Sequence, residues 1–479
     1  MAAHEAGALH TPGYGGVSTV PAWLAPPADV NALVPALWAG SVTRRDDGAL
    51  QVGGCDVRRL AAEHGTPAFV LDERDFRARA GAFRDAFALA FADLAGADVY
   101  YAGKAFLCSG VVRWLAEDGL SLDVCSGGEL AVALRGGMPP ERIGLHGNNK
   151  SDAEIRRALR AGVGRIVLDS LEEVDRVADA AGRLGVRAPV MLRVTVGVEA
   201  HTHEYIATAH EDQKFGLSLA GGDAAAAARA AVARPELRLL GLHSHIGSQI
   251  FDTSAFEVSA RRLLGLHAEI AASLGIDLPE LDLGGGFGIA YTTQHDPLEP
   301  KALADQLADI VARECRGRGV AVPRVSVEPG RAVVGPSTFT LYRVGAVKRV
   351  GLDQGATRTY VAVDGGMSDN IRTALYDADY SAAIASRVST APATLSRVVG
   401  QHCESGDIVV RDEFLPEDIT RGDLLAVPGT GAYCRSMASQ YNHVPRPPVI
   451  AVRDGITRVL IRRETEDDVL SLDVGISGA

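Results

Sequence analysis

The chain has 479 residues and a formal net charge of −12 at pH 7. This acidic balance provides no basic surface for nucleic acid or for an anionic membrane, so we expect neither as a partner. Hydrophobic residues make up 47% of the chain and charged residues 23%, which is typical of folded proteins and excludes extensive disorder. A chain of this length favours a large barrel with a smaller domain beside it.

Several patterns that would indicate a membrane or secreted protein are missing. No apolar run reaches the roughly 18 residues of a spanning helix, and the first residues lack a basic-then-apolar signal pattern. We therefore expect a cytoplasmic protein. The six cysteines show no CxxC spacing, which predicts neither a zinc site nor a disulfide framework. His201 and His203 have no third ligand spaced near them, so we predict no metal.

The chain begins with residues 1–30, which are rich in Gly, Ala and Pro and predict a loosely ordered leader. Residues 31–72 are expected to pack with a later β-domain. Within them, a stretch bounded by glycines at residues 50–71 predicts a short helix followed by a strand.

Eight short β-rich runs then alternate with helical segments across residues 73–335. The predicted strands are 99–102, 120–124, 142–145, 165–168, 190–196, 239–245, 280–283 and 324–327. Apolar residues recur at three- and four-residue spacing between them, which predicts helices that include 152–161, 171–184, 255–274 and 301–316. This alternation predicts a parallel sheet, and eight units predict a closed (β/α)8 TIM-type barrel. A doubly wound open sheet is the alternative.

From residue 336 to residue 479 the pattern becomes β-rich without long helices. The predicted strands here are 339–347, 358–363, 396–399, 407–410, 424–426, 449–452 and 458–462. They predict a separate C-terminal β-domain, a sandwich or a barrel, so the fold class is an α/β barrel followed by a β-rich domain.

A lysine follows the first predicted barrel strand, in the run Tyr-Tyr-Ala-Gly-Lys-Ala-Phe that contains Lys104. Active sites of such barrels are built at the carboxyl ends of the strands. A buried ammonium is costly without a purpose, which makes Lys104 a candidate to form a Schiff base with a carbonyl. The alternative is an ion pair with a carboxylate such as Asp123.

The ends of the seventh and eighth strands carry the features of a phosphate site. A run of glycines from 284 to 288 follows the seventh strand, and Glu328-Pro329-Gly330-Arg331 follows the eighth. Glycine lets backbone N–H groups approach an anion closely. With Arg331 and Ser248 nearby, we favour a phosphate ligand over a turn without a ligand. Because the run spells neither GxGxxG nor GxxxxGK[ST], dinucleotide and P-loop sites lose support.

A phosphate anchor, an imine-forming lysine and a strand-end glutamate are together what a pyridoxal phosphate enzyme requires. Several long motifs also occur in order: 243–249, 284–288, 328–331, 402–407 and 431–442. On these motifs the chain, from about residue 37 to about residue 472, resembles diaminopimelate decarboxylases. These are pyridoxal-phosphate-dependent group IV decarboxylases with an alanine-racemase-like fold.

The resemblance implies a role for each cofactor-binding residue. Lys104 would form the imine with pyridoxal 5′-phosphate, His245 would stack on the ring, and Glu328 would pair with the pyridine nitrogen. Asp123 and Arg193 would lie near the imine and the ring. The residues implied around the phosphate are Ser248, Gly285, Gly286, Gly330, Arg331 and Tyr433.

The resemblance also implies a substrate site. Residues 369–376 resemble the family's substrate-binding segment, with Thr373 where a proline is more usual. Arg372 and Tyr376, with help from Arg331 and Tyr433, would hold a substrate carboxylate, which guanidinium groups bind in bidentate geometry.

Residues 402–407 resemble the segment that reaches the partner's active site in a homodimer. Cys403 would be a proton donor, and Glu404 would bind the distal ammonium group. Without the resemblance, Cys403 is a thiol beside a carboxylate, and a structural loop is the favoured interpretation.

The implied reaction is decarboxylation of meso-2,6-diaminopimelate to L-lysine and CO2, the last step of lysine biosynthesis. Ornithine and arginine decarboxylases of the same fold are the nearest alternatives, but their substrates lack the distal carboxylate that Arg372 would bind. A non-catalytic regulatory paralogue is a second alternative, opposed by the presence of Lys104 and Glu328. A racemase on the same barrel is a third, and Glu328 opposes it because a racemase would avoid a protonated pyridine nitrogen.

Overall fold

The computed structural model describes residues 20–198, 214–351 and 357–475, which form two compact units. The barrel unit consists of Arg77–Gly288 and Pro297–Val333. The β-rich unit takes its described residues from Met1–Phe76, Ile289–Asp296 and Val334–Ala479. Ile289–Asp296 thus belongs to the β-rich unit, although it lies inside the range predicted for the barrel. His201, His203 and most of the predicted leader lie outside the described residues.

The N-terminal part of the described chain contains short strands and two helices. They are β1 Thr43–Arg44, β2 Leu50–Val52, β3 Cys55–Asp56, α1 Val57–His64, β4 Ala68–Asp72 and α2 Glu73–Ala90. Strands β1 to β3 form a small antiparallel sheet. Helix α1 begins where the side chain of Asp56 accepts a hydrogen bond from the backbone N–H of Arg58, which satisfies a donor that the helix itself leaves unpaired.

Parallel strands form the barrel. They are β5 Ala97–Ala102, β6 Ser121–Val124, β7 Ile143–Leu145, β8 Arg165–Leu168, β9 Ala188–Thr195, β10 Leu217–Ser218, β11 Leu237–His243, β12 Glu280–Asp282 and β13 Arg324–Val327. β10 is a short addition that pairs with β9. The other eight close into a ring, because β8 pairs with β9 and β13 pairs with β5. The predicted eight-stranded barrel is confirmed, with strand ends shifted by one or two residues, and an open sheet is excluded.

Helices alternate with these strands. They are α3 Ser109–Glu117, α4 Gly127–Gly136, α5 Asp152–Ala161, α6 Leu171–Leu184, α7 Asp223–Ala233, α8 Ser254–Leu274, α9 Pro300–Arg318 and α10 Arg331–Val334. Local sequence sets their ends. Helix α5, for example, begins at a capping box between Ser151 and Glu154 and ends at Gly162, which adopts a φ of +75°. No helix in the described ranges is long and apolar enough to cross a membrane.

The β-rich unit follows. Its elements are β14 Thr338–Gly351, β15 Thr357–Val363, α11 Arg372–Tyr376, β16 Ala383–Ile384, β17 Ala393–Val399, β18 Ile408–Pro416, β19 Leu424–Pro428, β20 Val449–Arg453, β21 Ile456–Ile461 and α12 Glu466–Leu470. The main sheet runs in the order β18-β17-β15-β14-β4-β20-β21, and β19 also pairs with β14. The predicted β-rich domain is therefore present, and β16 is an addition to the predicted strands.

The early strand β4 lies inside this sheet. It pairs antiparallel with β14, where Leu71 faces Thr338, and parallel with β20, where Val70 faces Ile450. All five residues of β4 are buried, as expected for a strand with neighbours on both edges and apolar layers on both faces. The N-terminal segment thus contributes directly to the core of the β-rich unit, which includes Val70, Phe339 and Ile450.

Candidate active site

A cavity of about 820 Å³ opens at the carboxyl ends of the barrel strands, and its walls include Lys104, Asp123, His146, Arg193, His245 and Glu328. Each of these residues belongs to a different strand or to the loop after it, since parallel strands bring their carboxyl ends to one face of a barrel. All but His146 were predicted as site residues. A second cavity of about 740 Å³ lies at the amino ends of the strands. Its described lining includes neither lysine nor histidine, so we place the candidate active site in the first cavity.

Lys104 lies two residues beyond the end of β5 and is exposed in the single chain. The expectation of a buried ammonium was wrong, because β5 ends at Ala102 and Lys104 belongs to the turn that follows. In the described part of the chain no ion pair joins Lys104 to Asp123, whose carboxylate instead contacts His146 and Arg165. The amine of Lys104 is therefore available to a ligand in the cavity.

Two other lysines lie near the strand ends. Lys150 is buried and donates hydrogen bonds to the carbonyls of Gly147 and Val167 and to Glu173 at 3.0 Å, so its amine is fully occupied. Lys214 also lines the cavity, with its Nζ 4.7 Å from the centre of the Phe215 ring. The sequence did not indicate Lys214 as a rival to Lys104, and the structure makes it the natural control.

Glu328 is buried immediately after β13. Its Oε1 lies 2.9 Å from Nε2 of His243 and 3.6 Å from Nε2 of His146. Burial by itself raises the pKa of Glu328, but the two imidazoles outweigh burial and hold the pKa well below its usual range. Glu328 is therefore a carboxylate anion at neutral pH. Its Oε1 has no aligned hydrogen-bond donor among the described residues.

Asp123 is the second buried carboxyl group of the cavity. Its Oδ1 lies 3.0 Å from Nε2 of His146 and 3.7 Å from Nη2 of Arg165. Burial raises the pKa of Asp123 well above its usual range, and the nearby charge of Glu328 raises it further. Burial also lowers the pKa of His146 to about 4. Of the two carboxyl groups beside His146, Glu328 is thus the one that keeps its charge.

Arg165 lies beneath this pair in the barrel interior, with only 1% of its surface exposed. It donates a hydrogen bond to Ser326 at 2.9 Å and forms an ion pair with Asp282. Its guanidinium also stacks 3.6 Å above the centre of the Tyr100 ring, a cation–π contact that is strong where water is excluded. This buried cation offsets part of the negative charge that Asp282 and Glu328 bring into the barrel.

His245 is half-buried beside Lys104 in the cavity. Burial, followed by the charge of Lys104, lowers its pKa well below the usual range of a histidine. The backbone N–H of Gly285 donates to Nδ1 of His245 at 3.2 Å. The ring is therefore a neutral imidazole with its lone pair on Nδ1, which suits stacking on a flat ligand.

The glycines predicted to surround a phosphate are packed against other strand ends. A Cβ atom on Gly285 would lie 2.2 Å from the carbonyl oxygen of Glu328, and a Cβ on Gly286 would lie 2.3 Å from that of Gly247. Gly286 also has a φ of +100°, a conformation that favours glycine. Gly285 and Gly286 therefore present backbone atoms, and no side chain, at the carboxyl ends of the strands.

The guanidinium of Arg331 and the hydroxyl of Ser248 lie beside these glycines, and we call this group of residues the glycine–arginine cradle. Nη2 of Arg331 donates a hydrogen bond to the hydroxyl of Ser248 at 2.9 Å. Gly330 precedes Arg331 and packs closely, since a Cβ there would lie 2.9 Å from the carbonyl oxygen of Ala102. Backbone N–H groups, a hydroxyl and a guanidinium at one place form a suitable site for a phosphate.

Arg193, in β9, stacks on Phe215 at 4.4 Å and lies 3.8 Å from Asp169.

The remaining predicted site residues belong to the β-rich unit. Arg372 is buried, donates to the hydroxyl of Tyr380 at 2.5 Å and stacks 4.4 Å from the centre of the Tyr291 ring. Its Nε has no hydrogen-bond partner in the described ranges. The hydroxyl of Thr373 donates to the carbonyl of Val409 at 2.9 Å, so this side chain ties α11 to β18.

The other four residues are more open in the single chain. Tyr376 at the end of α11 is 60% exposed. Cys403 and Glu404 are exposed in the loop between β17 and β18. Tyr433 is partly buried and adopts a φ of +62°, which is uncommon for a bulky residue and is often found at functional positions.

His146, His243 and Glu328 offer three potential ligand atoms within 4.8 Å of one another. We interpret this cluster as an ion-pair network, because the 2.9 Å separation of His243 and Glu328 is shorter than the roughly 3.3 Å expected between two ligands of a tetrahedral zinc ion. The expectation that the protein holds no metal stays a prediction.

The structure also reveals buried site residues that sequence reasoning missed: His146, Arg165, His243 and Asp282. Each stands in or directly after a predicted strand, so the available signal was a charged or polar residue within an apolar run. That signal shows that such a residue needs a partner, but the partners come from other strands.

The comparisons with known proteins agree with this geometry. Residues 74–335 match the family of pyridoxal-dependent decarboxylases over its pyridoxal binding domain. The diaminopimelate decarboxylase of Mycobacterium tuberculosis is 54% identical over 92% of this chain and 98% of its own length. That of Mycobacterium leprae is 52% identical over 99% of this chain and 100% of its own length. The chain belongs to the diaminopimelate decarboxylase family.

Solved structures of this family have the same fold. The diaminopimelate decarboxylase of M. jannaschii, crystallised with L-lysine, superposes with a TM-score of 0.84 at 30% identity and covers 91% of this chain and 98% of its own. The predicted family is thus confirmed. The predicted enzyme class, a carboxy-lyase, is confirmed with it. The range that matches the pyridoxal binding domain of the family contains every cavity residue named above.

Proposed function

We propose that the chain decarboxylates meso-2,6-diaminopimelate to L-lysine and CO2 with pyridoxal 5′-phosphate as cofactor. The observation that carries the proposal is one cavity at the carboxyl ends of the barrel strands that holds both an available lysine and a buried glutamate anion. The glycine–arginine cradle lies on neighbouring strand-end loops of the same barrel face. Relatives that are about half identical to the chain over nearly its full length are diaminopimelate decarboxylases.

The residues of the cavity fit this cofactor. Glu328 is a buried carboxylate anion in the cavity wall, and such an anion can accept a hydrogen bond from a protonated ring nitrogen. Gly285 and Gly286 have no room for a side chain, so an incoming phosphate would meet backbone rather than side chains at these two positions. When bound, pyridoxal phosphate supplies an electron sink for the charge left behind by CO2.

The barrel residues have separate tasks in this proposal. Lys104 binds the cofactor covalently through its amine, and His245 lies flat against the cofactor ring as a neutral imidazole. Glu328 holds a proton on the ring nitrogen, since its pKa lies well below the usual range. Ser248, Gly330 and Arg331 bind the phosphate, together with the two glycines and with Tyr433.

The β-rich unit provides the groups for the substrate's far end. The distal carboxylate of diaminopimelate requires a guanidinium, which Arg372 provides with Arg331, Tyr376 and Tyr433. Glu404 binds the distal ammonium, and the thiol of Cys403 holds the proton that replaces CO2. Asp123 and Arg193 orient the reacting end.

We further propose a homodimer in which Cys403 and Glu404 serve the partner subunit's cavity. Both residues are exposed in the single chain, as residues of a subunit interface are before assembly. Location in the cytoplasm stays a prediction.

An assay of the purified chain with a panel of amino acids tests the proposed reaction. We expect CO2 and lysine from meso-diaminopimelate, and turnover at least about a hundredfold lower with L-ornithine or L-arginine, because a site built for a carboxylate leaves Arg372 unpaired with these substrates. Preferred turnover of ornithine or arginine would overturn the substrate assignment, and the absence of turnover with every amino acid would favour a non-catalytic role.

A further inference from the structure

Two buried histidines face Glu328 and have no role in the proposed reaction. His243 is the last residue of β11, and His146 follows β7. Their rings lie edge to face with centres 5.0 Å apart, and 1% of His243 and 6% of His146 is exposed. Apolar residues would fill this space at no electrostatic cost, so two imidazoles at this place require an explanation.

Both histidines direct the same ring nitrogen at the carboxyl groups. Nε2 of His243 lies 2.9 Å from Glu328, and Nε2 of His146 is shared between Asp123 at 3.0 Å and Glu328 at 3.6 Å. Within the described residues Nδ1 of His243 has no other partner. The Nε2 atoms of both rings are thus placed towards these carboxyl groups.

The wider surroundings contain several charges. Arg165 and Asp282 lie below the histidines, Arg193 on β9 faces His146, and His245 and Lys104 lie towards the cavity mouth. Arg165 is closer to Asp123, at 3.7 Å, and is already paired with Asp282. Among the described residues, the titratable groups in direct contact with the carboxylate of Glu328 are therefore the two imidazoles.

Two carboxyl groups in one buried pocket do not readily ionise together, because each charge raises the cost of the other. One of them must take up a proton unless a positive or hydrogen-donating group favours its anion. Glu328 contacts two imidazoles, whereas Asp123 contacts one imidazole and lies 3.7 Å from a guanidinium, that of Arg165. Because this guanidinium is already paired with Asp282, the arrangement favours the anion on Glu328. The opposite directions of the two pKa shifts agree with this division.

We propose that His243 and His146 are positioning residues that keep Glu328, rather than Asp123, as the anion of this pocket and hold that carboxylate towards the cofactor's ring nitrogen. The purpose of this arrangement rests on the proposed function, because a fixed anion is needed there only if a protonated ring nitrogen is bound. The ionisation itself is a property of the apoprotein and can be measured without turnover.

Infrared spectroscopy of the apoprotein measures it directly. The difference spectrum between the wild-type chain and the Glu328→Gln variant isolates the Glu328 carboxyl group. As the pH is lowered, we expect the protonated carboxyl band of Glu328 to appear only below the ordinary range of a glutamate. A band that appears within or above that range would overturn the proposal, and this titration needs no histidine variant.

Histidine variants then identify the cause. His243→Met removes the imidazole at similar bulk, whereas His243→Gln retains an N–H donor at about the position of Nε2. We expect the Glu328 band at neutral pH in the methionine variant, and a smaller band or none in the glutamine variant. His267→Met is the matched control, because His267 is a buried histidine of the same barrel unit whose Nε2 contacts the carbonyl of Leu278 at 2.8 Å.

Activity of the loaded enzyme provides a separate readout. We expect His243→Met to lower kcat at least about tenfold with little change in cofactor affinity, and His243→Gln to recover most of that loss. If the apoprotein of His243→Met folds and Glu328 is still ionised, the histidines are not the cause and the proposal is wrong. If the infrared spectra show the expected ionisation of Glu328 but neither the wild-type chain nor any variant releases CO2, the proposed function fails while the assignment of the anion stands.

Discussion

The guanidinium of Arg331 donates a hydrogen bond to the hydroxyl of Ser248 at 2.9 Å. This contact joins the loop after β11 to the first residue of α10, close to the glycines that follow β12. The two residues are 83 positions apart in the sequence, so their contact forms only when the barrel closes. It places one neutral and one charged donor at the proposed phosphate site.

Ser248→Ala should therefore weaken cofactor binding more than chemistry. A hydrogen bond to a charged group contributes about 1.5–3 kcal/mol, so we expect a loss in pyridoxal phosphate affinity of about tenfold or more, with kcat largely retained at saturating cofactor. Equilibrium dialysis with the cofactor measures the affinity. Ser273→Ala on α8 is the control, because the hydroxyl of Ser273 donates to the carbonyl of Ile270 at 3.4 Å. Equal losses in both variants would contradict the phosphate site.

Lys104→Ala should abolish turnover and covalent attachment of the cofactor. Lys150 cannot replace it, because Glu173 and two carbonyls occupy its amine. Lys214→Ala is the stringent control, since Lys214 lines the same cavity. Borohydride reduction followed by peptide mapping should find the cofactor on Lys104 in the wild type and in Lys214→Ala. A label on Lys214 would remove the basis for the assignment of Lys104.

Glu328→Gln should lower the rate far more than the affinity for the cofactor. An amide cannot stabilise a protonated ring nitrogen, whereas the phosphate cradle is unchanged, so we expect kcat to fall about a hundredfold or more. Titration with pyridoxal phosphate, followed by a saturating assay, separates the two effects. Recovery of full activity with excess cofactor would show that Glu328 serves binding only.

The eight strands and their loops could be predicted from sequence because each is a local pattern of an apolar run followed by glycine or a polar residue. The ion-pair network could not. Arg165, His243 and Asp282 come from three strands, and their contacts exist only in the closed barrel. The exposure of Lys104 was mispredicted for a related reason, since its apolar neighbours indicate burial but β5 ends two residues before it.

The range 289–296 illustrates a second limit of local patterns. The Tyr291 ring lies 5.0 Å from the ring of Tyr380 and stacks beneath Arg372. These contacts associate the segment with the β-rich unit, although it lies between two barrel strands in sequence. Nothing in its composition marks that association. Long-range packing, rather than propensity, determined where it belongs.

Stability of the chain should fall as the pH rises from about 4 to about 7, in part because of Asp369. Burial raises the pKa of Asp369 to about 7, so the folded state binds a proton there that the unfolded state releases near pH 4. The stabilisation is present below pH 4 and is lost by pH 7. Urea midpoints at pH 5 and pH 8 measure the effect. Asp369→Asn should reduce the difference between them, and an unchanged difference would contradict the raised pKa.

Subunit mixing tests whether the active site is shared. Lys104→Ala and Cys403→Ala chains should each be nearly inactive alone. After random exchange, about half of the dimers are heterodimers with one intact site of two, so about a quarter of wild-type activity is the expected ceiling for a two-fold interface. Verified exchange without recovered activity would show that Cys403 acts within its own chain or not at all.

The most direct test of the central claim is a mass balance with meso-diaminopimelate labelled with 13C at both carboxyl groups. The wild-type chain, loaded with pyridoxal phosphate, should release one labelled CO2 for each lysine formed, and the lysine should retain one label. The Lys104→Ala chain should form neither product, whereas Lys214→Ala should form both. Release of CO2 without lysine, or equal product from the Lys104→Ala chain, would contradict decarboxylation of this substrate at the barrel cavity.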